Sequence, residues 1–386
     1  MNAVPARKIE IEPAKSPVDI VREIGPALAA RTAAADEDQY VAENIKQLKA
    51  AGLVEAGVPA ELGGGGASID ELAAMLRELA HHCGSTALTF SMHTHQVAVP
   101  AWRWMHQAPA KAAVEPLLKR IATERIMLLS SGGSDWIGGS GKAEKVEGGY
   151  KITARKIFTS GAQTGDLLMT AAILEEHGQP PMVLHFGIPM SSPHVKVLDT
   201  WRAHGMRGTG SHDVMIDGHV VPEAAVALKR KAGEWHLLFQ IISTIAFSLV
   251  YGVYLGVAES ARDLAIGMAK KKGPHKYTID LAGRMETELR AAQLAHASML
   301  AAVRRNAPSA EAVNDVMIGR QLVARHAIAA VEYAMELAGG PGFYRANGLE
   351  RKFRDIQAAR YHPLQTGPQA EYAGAMALGL PVDKIF

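Results

Sequence analysis

Apolar and polar residues follow different periods in three successive stretches of the chain. In the first stretch, up to about residue 125, apolar positions around Leu53 fall at helical spacing. A glycine-rich segment at 59–66 interrupts this pattern. Directly after it, Ser68-Ile69-Asp70-Glu71 has the Ser-x-x-Glu form of a capping box, which predicts the start of a helix running toward His82. The first stretch is therefore predicted to be helical.

The middle stretch, from about residue 126 to 227, has the alternation of β-strands. Residues 143–153 alternate around Gly148-Gly149, which predicts a hairpin, and residues 214–221 around Asp217-Gly218 predict another with a type I′ turn. Further β-type runs are 167–174 and 182–188. Because no helical pattern of ~10–15 residues separates these strands, they predict an antiparallel barrel or sandwich and not a βαβ sheet.

The last stretch, from about residue 234, returns to helical spacing. Residues 279–305 predict a charged amphipathic helix, and residues 309–338 predict another that stops at Gly339-Gly340-Pro341, a typical helix C-terminus. We therefore predict an α+β protein that is mostly α. Its expected domains are an N-terminal helical domain (1–125), a central β-domain (126–230) and a C-terminal helical bundle (231–386).

One run in the last stretch, 236–258, contains no charged side chain and leaves two interpretations open. It is long enough to span a bilayer, and Gly252 and Gly256 form the GxxxG pair of membrane helix dimers. A helix buried on all sides in a bundle has the same composition, and polar residues such as Ser243 and Thr244 dilute the apolar run. We favour the buried helix, in which the glycines let two helices approach closely inside a soluble oligomer.

Composition narrows the class of protein further. Of the 386 residues, 48% are hydrophobic and 21% charged, the profile of a soluble globular protein. The net charge of +2 comes without a basic block, which argues against nucleic acid and membrane surfaces as partners. The single cysteine, Cys83, excludes an internal disulfide and fits a reducing compartment. With no apolar segment at the N-terminus, the expected location is the cytoplasm.

Several kinds of active site are disfavoured by the motifs. Neither 63–66 nor 132–141 gives the GxGxxG spacing of a Rossmann site, and Gly139-Ser140-Gly141 lacks the flanking pattern of a nucleophile elbow. His93-Thr94-His95 has a spacing of two, which directs the two rings to opposite sides of a helix, so no metal site is predicted.

Five segments, in order along the chain, resemble motifs of the acyl-CoA dehydrogenase superfamily. They are residues 58–66, similar to "P-E-x-x-G-G-x-G"; 132–135, similar to the end of "T-E-P-x-A-G-S-D"; 149–153 with 156–161, similar to "K-x-W-I-T-N"; 205–209 leading to Val221-Pro222; and 338–343 with Arg354-Asp355, similar to "G-G-x-G-Y" and "R-D-x-R". The resemblance implies the fold of that superfamily, with a C-terminal four-helix bundle, a flavin between the domains and a homotetramer.

The same resemblance implies which residues contact the flavin. Residues bordering the isoalloxazine are expected to be Leu128, Ser130, Ser131, Ser134, Phe158, Thr159 and Ser160. Ser160 stands where the family threonine hydrogen-bonds flavin N5. Gly339 and Gly340 are expected to reach the adenosine end of a neighbouring subunit's FAD.

The catalytic base of the dehydrogenases is the main departure from the family pattern. An acyl-CoA dehydrogenase needs a carboxylate over the flavin to remove the α-proton. By alignment, its usual position is Pro363 and its minority position is at or near Ala246, and 236–258 contains no acid. Arg354 followed by His362, together with Ser160 and Ser91-Met92-His93, instead resembles the two-component flavin monooxygenases, such as dibenzothiophene monooxygenase.

That branch implies a monooxygenase that uses reduced flavin and O2 through a C4a-hydroperoxide. The expected catalytic residues are His362, Ser160 and His93, with His362 titrating near neutral pH. A separate flavin reductase and a small-molecule substrate are the other expected partners. Two alternatives stay open, namely an FAD-dependent acyl-CoA dehydrogenase with an unrecognised base and a non-catalytic flavin-binding member.

Which flavin is used is also left open by the sequence. The Gly339-Gly340-Pro341-Gly342 turn favours FAD, whereas residues 270–277 lack the family's "R-x-x-F-G" at the pyrophosphate, which leaves FMN as the other candidate.

Overall fold

Two groups of helices enclose a strand-rich segment in the computed structural model, which describes residues 15–37, 39–131, 137–273 and 275–385. The N-terminal helices are α1 (Pro17–Ala30), α2 (Thr32–Asp36), α3 (Ala42–Ala50), α4 (Ile69–His82), α5 (Gly84–His106) and α6 (Lys111–Glu124). The C-terminal helices are α7 (Leu237–Lys272), α8 (Lys276–Arg304), α9 (Ala310–Ala338), α10 (Gly340–Phe343), α11 (Leu349–Ile356) and α12 (Thr366–Ala377). The predicted fold class, α+β and mostly α, is confirmed.

Local capping signals in the sequence set several of these helix ends. The predicted capping box at the start of α4 is present, because the Ser68 side chain accepts from the Glu71 N–H and the Glu71 carboxylate accepts from the Ser68 N–H. The long helix α9 ends at Ala338 and is followed by Gly339, whose φ of 63° is favourable for glycine. Both boundaries agree with the sequence prediction.

The strands form one eight-stranded sheet in the order β6-β7-β3-β2-β4-β5-β8, with β1 paired to β4. They are β1 (Leu128–Ser130), β2 (Lys142–Val146), β3 (Gly149–Thr159), β4 (Leu167–Leu174), β5 (Met182–Pro189), β6 (Val195–Val197), β7 (His212–Pro222) and β8 (Leu228–Lys231). Most pairings are antiparallel, as predicted, but β4 pairs in parallel with both β1 and β2. The sheet is therefore mixed at this one place.

The predicted hairpin at Asp217-Gly218 is wrong. Residues 212–222 form the single strand β7, which pairs along its length with β3. The register skips Gly218, whose φ is 76°, between the pairs Thr153–Asp217 and Ile152–His219. A glycine with positive φ suits a β-bulge as well as a type I′ turn, and pairing with β3 selects the bulge.

The helical and strand segments have separate hydrophobic cores. Buried residues of the N-terminal helices and of the C-terminal helices belong to one continuous core, which includes Leu79, Phe90, Tyr251 and Val323. The sheet has its own smaller core around Phe186. The two helical stretches therefore pack together, and the boundaries of the three predicted domains stay a prediction.

Helix α7, which contains the uncharged run, is a core helix. Within the described ranges it is the one helix that is long and apolar enough to cross a membrane, and 94% of its most apolar window is buried inside the protein. A Cβ on Gly256 would lie 2.1 Å from the Arg77 carbonyl oxygen, and one on Gly252 would lie 3.3 Å from that of Ala73. The GxxxG pair thus serves close packing against α4 of the same chain, not an oligomer contact.

Candidate active site

His362 lies two residues after a short 3₁₀ helix (Gln357–Arg360) and faces helix α7. Its Nε2 is 2.6 Å from the Tyr254 hydroxyl, and the two rings lie 5.6 Å apart. Burial, and then the positive charge of Arg320 and the proximity of His95, lower the pKa of His362 to about 3. His362 is therefore neutral at neutral pH. The expectation that it titrates near neutral pH is wrong, because that expectation took no account of burial or of Arg320.

Arg320 of α9 fixes the segment that carries His362. It is fully buried, and its guanidinium donates to the backbone carbonyls of Ala359, His362 and Leu364, the bond to His362 measuring 3.0 Å. The guanidinium also lies over the ring of Tyr251, 5.1 Å from its centroid. A buried cation held by carbonyl oxygens needs all of them to stay in place, so Arg320 ties the His362 segment to α9.

Tyr254 determines which nitrogen of His362 carries the proton. The side chain is fully buried, and burial raises its pKa well above the usual value, so the hydroxyl keeps its proton. Among the described residues, the hydrogen-bond partner of that hydroxyl is His362 Nε2. A buried O–H requires an acceptor. Tyr254 therefore donates to Nε2, and the neutral imidazole carries its proton on Nδ1.

His93 and His95, two residues apart on α5, have different surroundings. His93 Nε2 lies 2.8 Å from the Val54 carbonyl, and its Nδ1 accepts the Leu128 N–H at 3.0 Å, so both ring nitrogens are bonded to backbone. His95 Nδ1 lies 3.0 Å from the Ser91 carbonyl. Burial lowers the pKa of each to about 4. His93 thus anchors the start of β1 to α5, and His95 is the histidine of the pair that influences His362.

The end of β3 has the features of a binding surface for a flat ligand. Phe158 has a φ of 54°, unusual for a bulky residue, and its side chain is 56% exposed beside the ring of Trp201. The buried Thr159 hydroxyl has no hydrogen-bond partner among the described residues. Ser160 is buried and bonded to Ser211. An exposed aromatic ring next to an unpartnered buried hydroxyl fits a bound heteroaromatic cofactor.

Ser160 begins a chain of buried hydroxyls that ends at a backbone carbonyl. Its Oγ lies 2.8 Å from Ser211 Oγ, which lies 2.7 Å from Thr209 Oγ1, which donates to the Met206 carbonyl at 2.9 Å. Met206 has a φ of 52°, and its N–H donates to the buried Asp355 carboxylate. The motif segments 205–209 and Arg354-Asp355 therefore meet in space and support the end of β3.

The remaining predicted flavin contacts within the described residues lie on β1, directly after it, and at the end of α9. Leu128 is fully buried, Ser130 is half-buried, and the Ser131 hydroxyl bonds to that of Thr170 at 2.7 Å. Ser134 lies outside the described residues. Gly339 and Gly340 form the junction of α9 and α10, where Lys272 donates to the Ala338 carbonyl. Their contact with a neighbouring subunit's cofactor stays a prediction.

The two family positions for a catalytic carboxylate hold apolar residues. Ala246 and Pro363 are both buried. Across the described part of the chain, no carboxylate is hydrogen-bonded to His362 or to Tyr254. The motif spacing predicts His362 as a candidate site residue, whereas nothing in the sequence analysis points to Tyr254 or Arg320. The one available signal was the tyrosine itself, because a buried tyrosine hydroxyl in an apolar helix needs a partner.

Comparison with family models matches both helical parts of the chain. Residues 19–120 match "Acyl-CoA dehydrogenase, N-terminal domain" and residues 249–366 match "Acyl-CoA dehydrogenase, C-terminal domain". These two ranges include His93, Tyr254, Arg320 and His362.

Similar proteins of known description span nearly the whole chain. The amino sugar nitrososynthase DnmZ of Streptomyces peucetius is 26% identical over 94% of this chain and 93% of its own length. The putative acyl-CoA dehydrogenase YdbM of Bacillus subtilis is 28% identical over 86% and 89%. The dibenzothiophene monooxygenase of Mycolicibacterium goodii is 25% identical over 90% and 90%.

Solved structures have the same fold. A nitrososynthase from Micromonospora carbonacea var. africana is 26% identical and superposes with a TM-score of 0.86 over 94% of this chain and 96% of that one. KijD3, solved with FMN and a dTDP-linked amino sugar, is 24% identical, with a TM-score of 0.88 over 97% and 96%.

Proposed function

Because the chain belongs to the acyl-CoA dehydrogenase superfamily, we propose that it is a flavin-dependent monooxygenase of that superfamily. In this proposal, reduced flavin from a separate reductase reacts with O2 through a C4a-hydroperoxide and transfers one oxygen atom to a small-molecule substrate. Monooxygenases and nitrososynthases among the relatives support this branch.

The observation that carries the proposal is the neutral His362–Tyr254 pair in place of a carboxylate. A dehydrogenase must remove a proton from carbon, for which a base with a pKa near neutral is best. A histidine with a pKa of about 3 is a weak base, but its Nδ1–H is a fixed hydrogen-bond donor. Such a donor suits an oxygenase, in which an oxygen atom has to be stabilised and kept from water.

Flavin is the proposed cofactor, and its isoalloxazine supplies the electrons for oxygen chemistry when it is bound. Phe158 would cover one part of the ring system, and the Thr159 hydroxyl would gain a hydrogen-bond partner, which it lacks among the described residues. Ser160 would face N5, and His362 would lie on the substrate side. The FMN in KijD3 supports FMN, and the Gly339–Gly340 turn supports FAD as the alternative.

His93 takes a different role in this proposal from the one first expected. Both of its ring nitrogens are bonded to backbone, so it would position Leu128 and β1 without exchanging a proton with substrate. Of His93 and His95, His95 is the better candidate for a second polar contact with the substrate. Its Nδ1 is bonded to the Ser91 carbonyl, but its Nε2 has no hydrogen-bond partner among the described residues.

A homotetramer in the cytoplasm is the proposed state of the protein. Phe343 and Tyr344, which lie three and four residues after Gly340, are 82% and 68% exposed. Large exposed aromatic residues at one place commonly mark an interface with another protein. A neighbouring subunit at this turn would cover them.

The direct test is stopped-flow absorbance. The protein is mixed anaerobically with reduced FMN or reduced FAD and then with oxygenated buffer. A transient C4a-hydroperoxide band is expected with one of the two flavins. No such band with either flavin, together with bleaching of bound oxidised flavin by an acyl-CoA, would favour the dehydrogenase that the similarity to YdbM suggests.

A further inference from the structure

The chain of hydroxyls behind Ser160 has only one favourable direction for its protons. At its inner end, Thr209 Oγ1 lies 2.9 Å from the Met206 carbonyl oxygen. A carbonyl cannot donate, and two buried oxygens at this separation repel each other unless a proton lies between them. The Thr209 hydroxyl therefore donates to Met206, and its single proton is used there.

The direction of the remaining bonds follows from that first one. Since Thr209 has no second proton, Ser211 must donate across the 2.7 Å contact between them. Ser211 has then used its own proton, so Ser160 must donate across the 2.8 Å contact to Ser211. All three side chains are buried, with Thr209 at 0% and Ser211 at 5% exposure, so bulk water does not compete for these protons.

The Ser160 oxygen is thereby left as an acceptor toward the candidate flavin site. Reduced flavin carries a hydrogen on N5 and donates from it, whereas oxidised flavin has a lone pair at N5 and can only accept. We propose that Thr209 and Ser211 are positioning residues that orient the Ser160 hydroxyl to accept from N5–H, so that the site selects reduced over oxidised flavin. This inference rests on the proposed function, in which Ser160 faces N5.

Asp355 and the backbone of Met206 fix the inner end of the hydroxyl chain. The Met206 N–H donates to the buried Asp355 carboxylate, and the N–H of Thr209 also donates to the Met206 carbonyl, at 3.1 Å. Met206 is itself buried and has a positive φ, and its carbonyl cannot turn away without breaking the bonds from the Thr209 N–H and the Thr209 hydroxyl. The acceptor at the end of the chain is thus rigid.

The test is to measure the affinity of the whole protein for reduced and oxidised FMN by anaerobic calorimetry. In the wild type, reduced FMN should bind at least about tenfold more tightly than oxidised FMN. Tenfold corresponds to about 1.4 kcal/mol, the scale of one mismatched buried hydrogen bond. Thr209→Val removes the inner acceptor and frees the Ser211 proton to turn toward Ser160, so the ratio should fall by roughly tenfold. Thr209→Ser keeps the hydroxyl and should keep the ratio.

A second variant keeps the proposal testable if Thr209→Val does not fold. Ser211→Ala removes the acceptor of the Ser160 proton, so Ser160 can then donate to oxidised N5, and the ratio should again fall. Equal binding of the two redox states by the wild type, or ratios in Ser211→Ala and Thr209→Val within about twofold of wild type, would overturn the inference and leave the proposed function intact. Failure of the wild type to bind either flavin would overturn both.

Discussion

The neutral state of His362 predicts a specific loss of stability in acid. Its pKa is about 3 in the folded protein and near 6.5 when exposed, so below pH 6.5 the unfolded chain takes up a proton that the folded chain does not. The stabilisation from His362 is complete above about pH 6.5 and is lost as the pH falls from there toward 3. From pH 6.5 to about pH 5 the pH falls by about 1.5 units. At 1.36 kcal/mol per pH unit, the free energy of unfolding falls by about 2 kcal/mol over this range.

Urea unfolding of the flavin-free protein at about pH 7.5 and about pH 5 measures this loss. The matched variant is His362→Gln, whose amide can still accept from Tyr254 but does not titrate. The free energy of unfolding of the wild type should fall by about 2 kcal/mol more than that of the variant. The buried His93 and His95, whose pKa values burial also lowers, titrate in both proteins and cancel in the comparison.

Equal losses in the two proteins would refute the argument. His362 would then bind its proton in the folded state as readily as in the unfolded chain, despite its burial and the nearby charge of Arg320. His362 could then take up and release a proton near neutral pH, and the argument from its low basicity would fail.

Four further predictions concern the site and its supports. His362→Ala should speed uncoupled peroxide release, and unchanged coupling of flavin oxidation to product would remove His362 from the mechanism. Ser160→Ala should shorten the lifetime of the oxygen adduct in stopped flow, and an unaltered lifetime would count against a contact with N5. Gly256→Ala should destabilise by several kcal/mol in urea unfolding because the new Cβ would meet the α4 backbone at 2.1 Å, whereas Gly267→Ala on the same helix meets nothing and should cost nothing. Asp36→Asn should cost about 3 kcal/mol, measured in the same way, because it removes the buried carboxylate that three arginines share and is the one ion-pair partner of Arg351 among the described residues; a loss under about 1 kcal/mol would contradict this.

Local signals in the sequence predicted most of the secondary structure. The capping box at Ser68 and the glycine after Ala338 act within one helical turn, so their effect does not depend on the rest of the fold. Asp217-Gly218 shows the limit of such signals. The predicted type I′ turn and the observed bulge both need a positive φ at Gly218, and whether the chain turns back or continues is decided by β3, about 65 residues earlier in the chain.

The candidate site was predictable only where a motif carried it. His362 could be found from its spacing after Arg354, but its pKa could not, because the groups that lower it come from other helices. Tyr254 is 108 residues away along the chain, and the Arg320 guanidinium reaches the His362 carbonyl across 42 residues. His93 fits the family motif as a catalytic residue, yet its backbone contacts with Val54 and Leu128 exist only once the chain has folded.

The low basicity of His362 also bears on the dehydrogenase alternative. If His362 were the unrecognised base, its pKa of about 3 would place it about 3.5 units below an ordinary histidine, a loss of about 5 kcal/mol in driving force for proton abstraction. Burial raises the pKa of Tyr254, so this residue could act as a base only as a buried phenolate. Among the described residues, that phenolate would have no cation as a hydrogen-bond partner, which makes it costly. A dehydrogenase built on this pair would therefore be slow at neutral pH. The same two properties, a neutral N–H and a hydroxyl that keeps its proton, are those of a donor site.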